Sequence, residues 1–233
     1  MEPTKTKSRE LSVEDVAESV DTKKPYGETP NIVKSTIITI VEDVWQYNDF
    51  VQYITKGEAD LGEYEVLVLT HEELPLAQKI ENVRIEVISK TVKGNTPKIL
   101  NMARFLVRDD SEVIFYLKHD VRLKMDALRE RIKPFQSSKP FGMVGKLYQV
   151  DSLVQEQVYK KIVKDTSAPM EFIKEVANIE NSDKMRCLDE DSFSIWLWCW
   201  DRVGGIPIDT PNFMEMLCTK AQMLHFPILP QPE

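Results

Sequence analysis

The residues best suited to chemistry in this chain lie where an apolar run ends. Val113-Ile114-Phe115-Tyr116-Leu117 leads without a break into Lys118-His119-Asp120 and then Val121-Arg122-Leu123. A carboxylate at the end of a buried strand faces the crevice where α/β sheets bind ligands. There it can hold a hard cation that neutralises a diphosphate. Asp120 equally suits a turn or the N-cap of a following helix. A second acidic group, Asp189-Glu190-Asp191, precedes a stretch containing Trp196, Trp198 and Trp200. Adjacent carboxylates raise one another's proton affinity, which suits a general base; the plainer reading is a solvated cap before a helix. The tryptophans offer flat aromatic faces to a ligand, but their spacing also fits a core stripe, and Tyr148 and Phe141 pose the same choice.

Other catalytic signatures are missing. The chain contains no GxGxxG, no phosphate-loop motif, no HExxH and no GxSxG. Gly94-Asn95-Thr96-Pro97-Lys98 is only superficially like a phosphate loop, and His71-Glu72-Glu73 lacks the second His of a zinc motif.

The elements that must position these residues show in the hydrophobic pattern. Residues 35–41 read as a buried β-branched strand, 64–69 as a second, 83–88 as a third and 112–117 as a fourth. Val44, Tyr47, Val51 and Ile54 have helical spacing ahead of Gly57, and Thr96-Pro97 is a helix start with Thr as cap. Strand and helix alternate, so the expectation is an α/β fold: a four-stranded parallel core, extended by later strands and covered by helices on both faces. In the second half, 123–132, 153–164 and 170–176 look helical and 141–150 extended. Residues 193–200 fit either period, and Gly204-Gly205 tips them toward a helix with a glycine stop. Pro227, Pro230 and Pro232 argue against a regular element at the end.

Composition sets bounds. The 233 residues carry 30 Lys and Arg against 38 Asp and Glu, a net charge of −8, which argues against general nucleic-acid binding. Residues 1–31 hold only seven apolar side chains and read as a charged flexible tail, leaving 32–233 as a single domain. No apolar stretch reaches the roughly 18–20 residues of a membrane span. There is no hydrophobic leader, and three cysteines without CxxC spacing fit a reducing cytoplasm, with one disulfide open.

Taken in order, these segments resemble GT-A-fold, family-2-like glycosyltransferases. Residues 116–123 resemble the family's FLDxDvrl strand end. Ile88, Ser89 and Lys90 through Gly94, Asn95, Asn101 and Ala103 resemble the region before it. Phe141-Gly142-Met143-Val144-Gly145 resembles the glycine-containing strand after it. Asp189-Glu190-Asp191 and the stretch to Gly205 resemble the acid pair on a helix ending at glycine. The matches span residues 35–208. The resemblance implies a Rossmann-like, mostly parallel sheet and transfer of a sugar from a nucleotide-sugar to a glycan, protein or lipid acceptor. It implies residues 32–122 as the nucleotide-binding half and 123–233 as the acceptor half. It places a nucleoside pocket at Val41, Glu42 and Asp43, at Thr70, His71 and Glu72, and at Lys90 and Asn101. Lys118 and His119 fall beside the diphosphate, with Asp120 and His225 as ligands of Mn²⁺ or Mg²⁺. Asp191 falls at the base position, with Glu190 beside it. One departure stands out: the first Asp of the DxD pattern is Lys118 here, which puts a two-acid metal site in doubt. Two alternatives remain. A nucleotidyltransferase of similar architecture would want a basic, glycine-rich loop where Glu42-Asp43 stands. A non-catalytic binding relative would account for Lys118.

Overall fold

The computed structural model describes residues 33–56, 64–75, 77, 79–123, 127–136, 141–177 and 185–231. The tail expected over 1–31 and the helix stop expected at Gly57 lie outside these residues. The strands are β1 (Ser35–Ile40), β2 (Tyr64–Thr70), β3 (Val83–Val87), β4 (Val113–Leu117), β5 (Met143–Gln149), β6 (Arg186–Trp196) and β7 (Ile228–Pro230). The helices are α1 (Val44–Lys56), α2 (Thr96–Ala103), α3 (Ala127–Gln136), α4 (Ser152–Thr166), α5 (Met170–Ala177), α6 (Leu197–Arg202) and α7 (Phe213–Met223).

All seven strands join one sheet in the order β3-β2-β1-β4-β6-β5-β7. β3, β2, β1 and β4 run parallel, β6 runs antiparallel between β4 and β5, and β7 pairs parallel with β5. The central strands are buried on both faces, which is why β1 and β4 read as almost continuous apolar runs. Tyr47, Phe50, Val51 and Ile54 of α1 join Leu128, Ile132 and Phe135 of α3 in the core on one face. Apolar residues of α2, α4, α5, α6 and α7 build the larger core on the other. The expectation of a mostly parallel α/β sheet between helical layers is met.

Local details differ from expectation. Asn95, not Thr96, caps α2: its side-chain oxygen accepts the Lys98 N–H at 3.0 Å. Residues 193–200 are not one helix. β6 runs to Trp196 and α6 begins at Leu197, so each period holds for half the stretch. β7 exists despite Pro230, because an edge strand tolerates a residue that cannot donate to a ladder. The helix α7 has apolar side chains buried around most of its circumference, so it shows no clean one-sided stripe.

Candidate active site

Because β1 to β4 are parallel, their carboxyl ends share one edge of the sheet, and most of the expected site residues gather there. Lys118 extends β4 by one rung: its N–H donates to Asp191 O at 2.9 Å. The side chains meet as well. Lys118 Nζ lies 3.4 Å from both carboxylate oxygens of Asp191 and 3.9 Å from Asp120 Oδ1. The two acidic groups, separated by about 70 residues in sequence, therefore converge on one ammonium.

A bulge explains how β6 presents three acids at this point. Gly145 pairs with Phe193 but Leu147 pairs with Leu188, so residues 189–192 of β6 stand against Lys146 alone. Such a bulge bends the strand and re-aims its side chains. Asp189 Oδ1 accepts the Asp191 N–H at 3.0 Å and holds the turn. This corrects the expectation that the acid pair begins a helix: all three acids lie within β6. The cluster shifts its own titration. Burial first, then the charges of Asp191, Glu215 and Asp189, raise the Glu190 carboxyl above the usual range, with Lys118 opposing. Burial, then Asp191, Asp120 and Glu190, push the Tyr116 hydroxyl well above its ordinary value.

The loop after β4 is bolted to α1. Val121 N donates to Lys118 O at 3.0 Å, closing a turn around His119 and Asp120. Arg122 donates to His119 O at 2.7 Å, pairs with Asp49 and lies 4.9 Å over the Tyr53 ring. Tyr53 Oη in turn accepts the Leu123 N–H at 2.9 Å.

The other strand ends carry mixed roles. Val41 is fully buried and its N–H donates to Leu69 O, so its side chain is core. Asp43 caps α1, Oδ1 accepting the Trp45 and Gln46 N–H groups at 2.8 Å each. The Thr70 hydroxyl donates to Glu72 O at 3.0 Å, and His71 Nδ1 lies 3.2 Å from Ser89 O, tethering the ends of β2 and β3. Glu72 pairs with Lys90 at 2.8 Å, and this ammonium pulls its carboxyl below the usual range. Glu42 stands 3.8 Å from Lys93 Nζ. These exposed carboxylates are available as fixed acceptors.

Three expected contributors make the following contacts. Asn101 gives both arms of its amide to one residue: Nδ2 donates to Ile206 O at 2.7 Å and Oδ1 accepts the Ile206 N–H at 2.8 Å. It is a clamp between α2 and the loop after α6. His225 ends α7 in left-handed backbone with its N–H on Gln222 O. Trp196 pairs with Val113 at the start of β4, and the antiparallel course of β6 carries it about 16 Å along the strand from Asp191. Trp196 and the buried Trp200 belong to the core, and Trp198 packs against Trp196 and Phe226.

Sequence reasoning missed two participants. Glu215 of α7 accepts the Tyr148 hydroxyl at 3.0 Å and adds charge beside Glu190. Arg131 of α3 is almost completely buried, donates to Gln231 Oε1 at 2.7 Å through Nε, and has its Nη1 unpartnered. Burial lowers its guanidinium to about 10, with Asp189 opposing. The helical position of Arg131 beside Ile132 was the only local signal for it.

No protein-family model matches the chain, and no curated protein matches it. Solved structures do. One is a mannosyltransferase from Pyrobaculum calidifontis in complex with GDP-Man and Mn²⁺: TM-score 0.59 and 14% identity, over 91% of this chain and 59% of that one. Another is glucosyl-3-phosphoglycerate synthase from Mycobacterium tuberculosis with Mn²⁺, UDP and glucosyl-3-phosphoglycerate: TM-score 0.53 and 9% identity, over 86% of this chain and 70% of that one. The synthase bound to UDP alone matches over 97% of this chain at TM-score 0.53 and 8% identity. The chain thus has the GT-A fold of nucleotide-sugar glycosyltransferases, while spanning 59% of the mannosyltransferase's length.

Both neighbours hold Mn²⁺, but the described residues here are not arranged as a divalent-cation site. Among the described residues, no group of three or more His, Cys, Asp or Glu side chains is placed to hold a metal, so Asp120 and His225 are not joined in one. The charge beside Asp120 and Asp191 is already the ammonium of Lys118. No described helix is long and apolar enough to cross a membrane.

Proposed function

We propose that this protein is a glycosyltransferase that moves a sugar from a nucleotide-sugar donor to an acceptor hydroxyl with inversion. One observation carries the reading. On a GT-A fold, Lys118, Asp120 and Asp191 converge at the carboxyl end of β4, beside the ends of β1, β2 and β3. The strand ends up to Arg122 form the donor side, with Glu42 and Glu72 as acceptors for ribose hydroxyls. Lys118 and His119 stand where the diphosphate leaves. The second half supplies the acceptor side.

In this reaction the acceptor oxygen attacks the anomeric carbon, the bond from that carbon to the diphosphate breaks, and a carboxylate takes the hydroxyl proton. Asp191 fills the base role, with Glu190 as its neighbour. Burial and the neighbouring carboxylates raise the proton affinity of Glu190, which suits a proton acceptor. Lys118 offsets charge on the leaving diphosphate as a point cation with three N–H donors. No step here passes through a metal.

The engagement of Lys118 by both Asp120 and Asp191 favours one second reading, a non-catalytic relative that binds a nucleotide or glycan. Release of nucleoside diphosphate from UDP- and GDP-sugars, measured for wild type, Asp191→Asn and Glu190→Gln, separates the two. Turnover that falls with either carboxamide supports the transferase. Saturable binding without turnover supports the second reading.

A further inference from the structure

We infer that the Lys118 ammonium occupies the cation position of the strand-end cluster, so that this site works with an internal lysine in place of a divalent metal. Use of this site for a ligand rests on the proposed function, whereas the place of the ammonium rests on geometry alone.

Three carboxylate oxygens surround one ammonium: Asp191 Oδ1 and Oδ2 at 3.4 Å and Asp120 Oδ1 at 3.9 Å. A hard divalent ion sits about 2.0–2.6 Å from such oxygens, so an ion shared by Asp120 and Asp191 would compete with Nζ for the same carboxylate oxygens. One cation or the other can be there. The Lys118 backbone is held beside the acids: its N–H donates to Asp191 O at 2.9 Å and its carbonyl accepts the Val121 N–H at 3.0 Å, so the side chain starts from a fixed Cα. The Arg122 contacts to Asp49 and Tyr53 hold that turn against α1. The lysine side chain remains 41% exposed, which leaves its ammonium one open side toward solvent. An ammonium has three N–H groups, enough to meet Asp191, Asp120 and an incoming phosphate oxygen together. The ion pair is also economical for the fold: without a cation, Asp120, Glu190 and Asp191 would crowd a single strand end with like charge.

The test titrates Mn²⁺ alone, by calorimetry and by its electron paramagnetic resonance signal, into wild type, Asp120→Asn, Lys118→Asp, Lys118→Ser and Lys118→Asp/Asp120→Asn. Wild type is expected to show no saturable site. Lys118→Asp should gain Mn²⁺ affinity by at least about tenfold, because a unit positive charge is replaced by a carboxylate. Removing Asp120 should cancel that gain. Lys118→Ser, checked for native near-ultraviolet circular dichroism, gives a smaller gain and serves if Lys118→Asp fails to fold. Saturable Mn²⁺ binding by wild type that Asp120→Asn abolishes overturns the inference. So does a lack of binding by folded Lys118 variants. A second arm titrates UDP and GDP into wild type with EDTA or with Mn²⁺, and equal affinity is expected. A requirement for Mn²⁺ overturns the inference, whereas no nucleotide binding in either condition counts against the proposed function and leaves the Mn²⁺ arm to decide the cation position.

Discussion

Replacing Asn101 by Ala should cost stability and leave ligand affinity alone. The amide spans from α2 to Ile206 with two hydrogen bonds of 2.7 and 2.8 Å, and Ile206 itself is buried. Truncation orphans one backbone N–H and one C=O. Each unsatisfied buried group costs about 1–3 kcal/mol, and because Asn101 is only partly buried, water recovers some of that, leaving about 3 kcal/mol in all. For a domain of this size, that lowers the thermal midpoint by about 6–12 °C. Asn101→Asp is the sharper probe. Its carboxylate still accepts the Ile206 N–H but sets an oxygen against Ile206 O, so the loss is large at neutral pH and partly recovered where the carboxyl is protonated. Gly205 adds a check, since its φ is +80° and a Cβ there would lie 2.8 Å from Asn101 Oδ1. Gly205→Ala should therefore be less costly in the Asn101→Ala background than alone. Differential scanning calorimetry at neutral and acid pH measures all of this. An Asn101→Ala protein that melts within a degree or two of wild type but binds nucleotide-sugars more weakly would refute the clamp and return Asn101 to the ligand site.

Further outcomes follow from individual contacts. Glu190→Gln should stabilise the protein at neutral pH. The raised carboxyl contributes stability that is full below its unfolded value and is lost as pH rises through its folded value, so the advantage of Gln should vanish in acid; thermal melts across pH check the sign. Gly142→Ala should destabilise by about 1–3 kcal/mol, read from urea unfolding, because the added Cβ meets Phe226 Cβ at 2.8 Å and Cys199 Sγ at 2.9 Å. Cys187, Cys199 and Cys218 are buried, and burial raises the Cys199 thiol to about 12 and pushes the Cys187 thiol up. Ellman's reagent should label none of them in native protein and all three in denaturant.

How much of this was legible in sequence depends on where the information lies. β1 and β4 declare themselves because strands buried on both faces are apolar along their whole length. The end of β4 marks the site edge for the same reason: polarity begins abruptly at Lys118. The acidic part of β6 does not read as a strand because it sits on a bulge, where four residues oppose one and the two-residue alternation breaks. The expected helix at 189–191 failed on that account. Glu42, Glu72 and Lys90 follow strands legible in the sequence and lie at their ends, but their salt links to Lys93 and to each other depend on side-chain reach. Asn101 and Arg131 could not be read locally at all. Their partners, Ile206 and Gln231, lie about 100 residues away, and only the closed sheet brings them together.

If the Lys118–Asp120–Asp191 cluster is a nucleotide-sugar site, it must bind a donor through Lys118. Isothermal titration of UDP-glucose and GDP-mannose into wild type, Lys118→Ala and Asp191→Asn tests it most directly. Wild type should bind at least one donor saturably, and Lys118→Ala should lose about tenfold or more in affinity, the worth of one charge-assisted contact to a phosphate. Binding of neither donor, or binding that Lys118→Ala leaves unchanged, would contradict it.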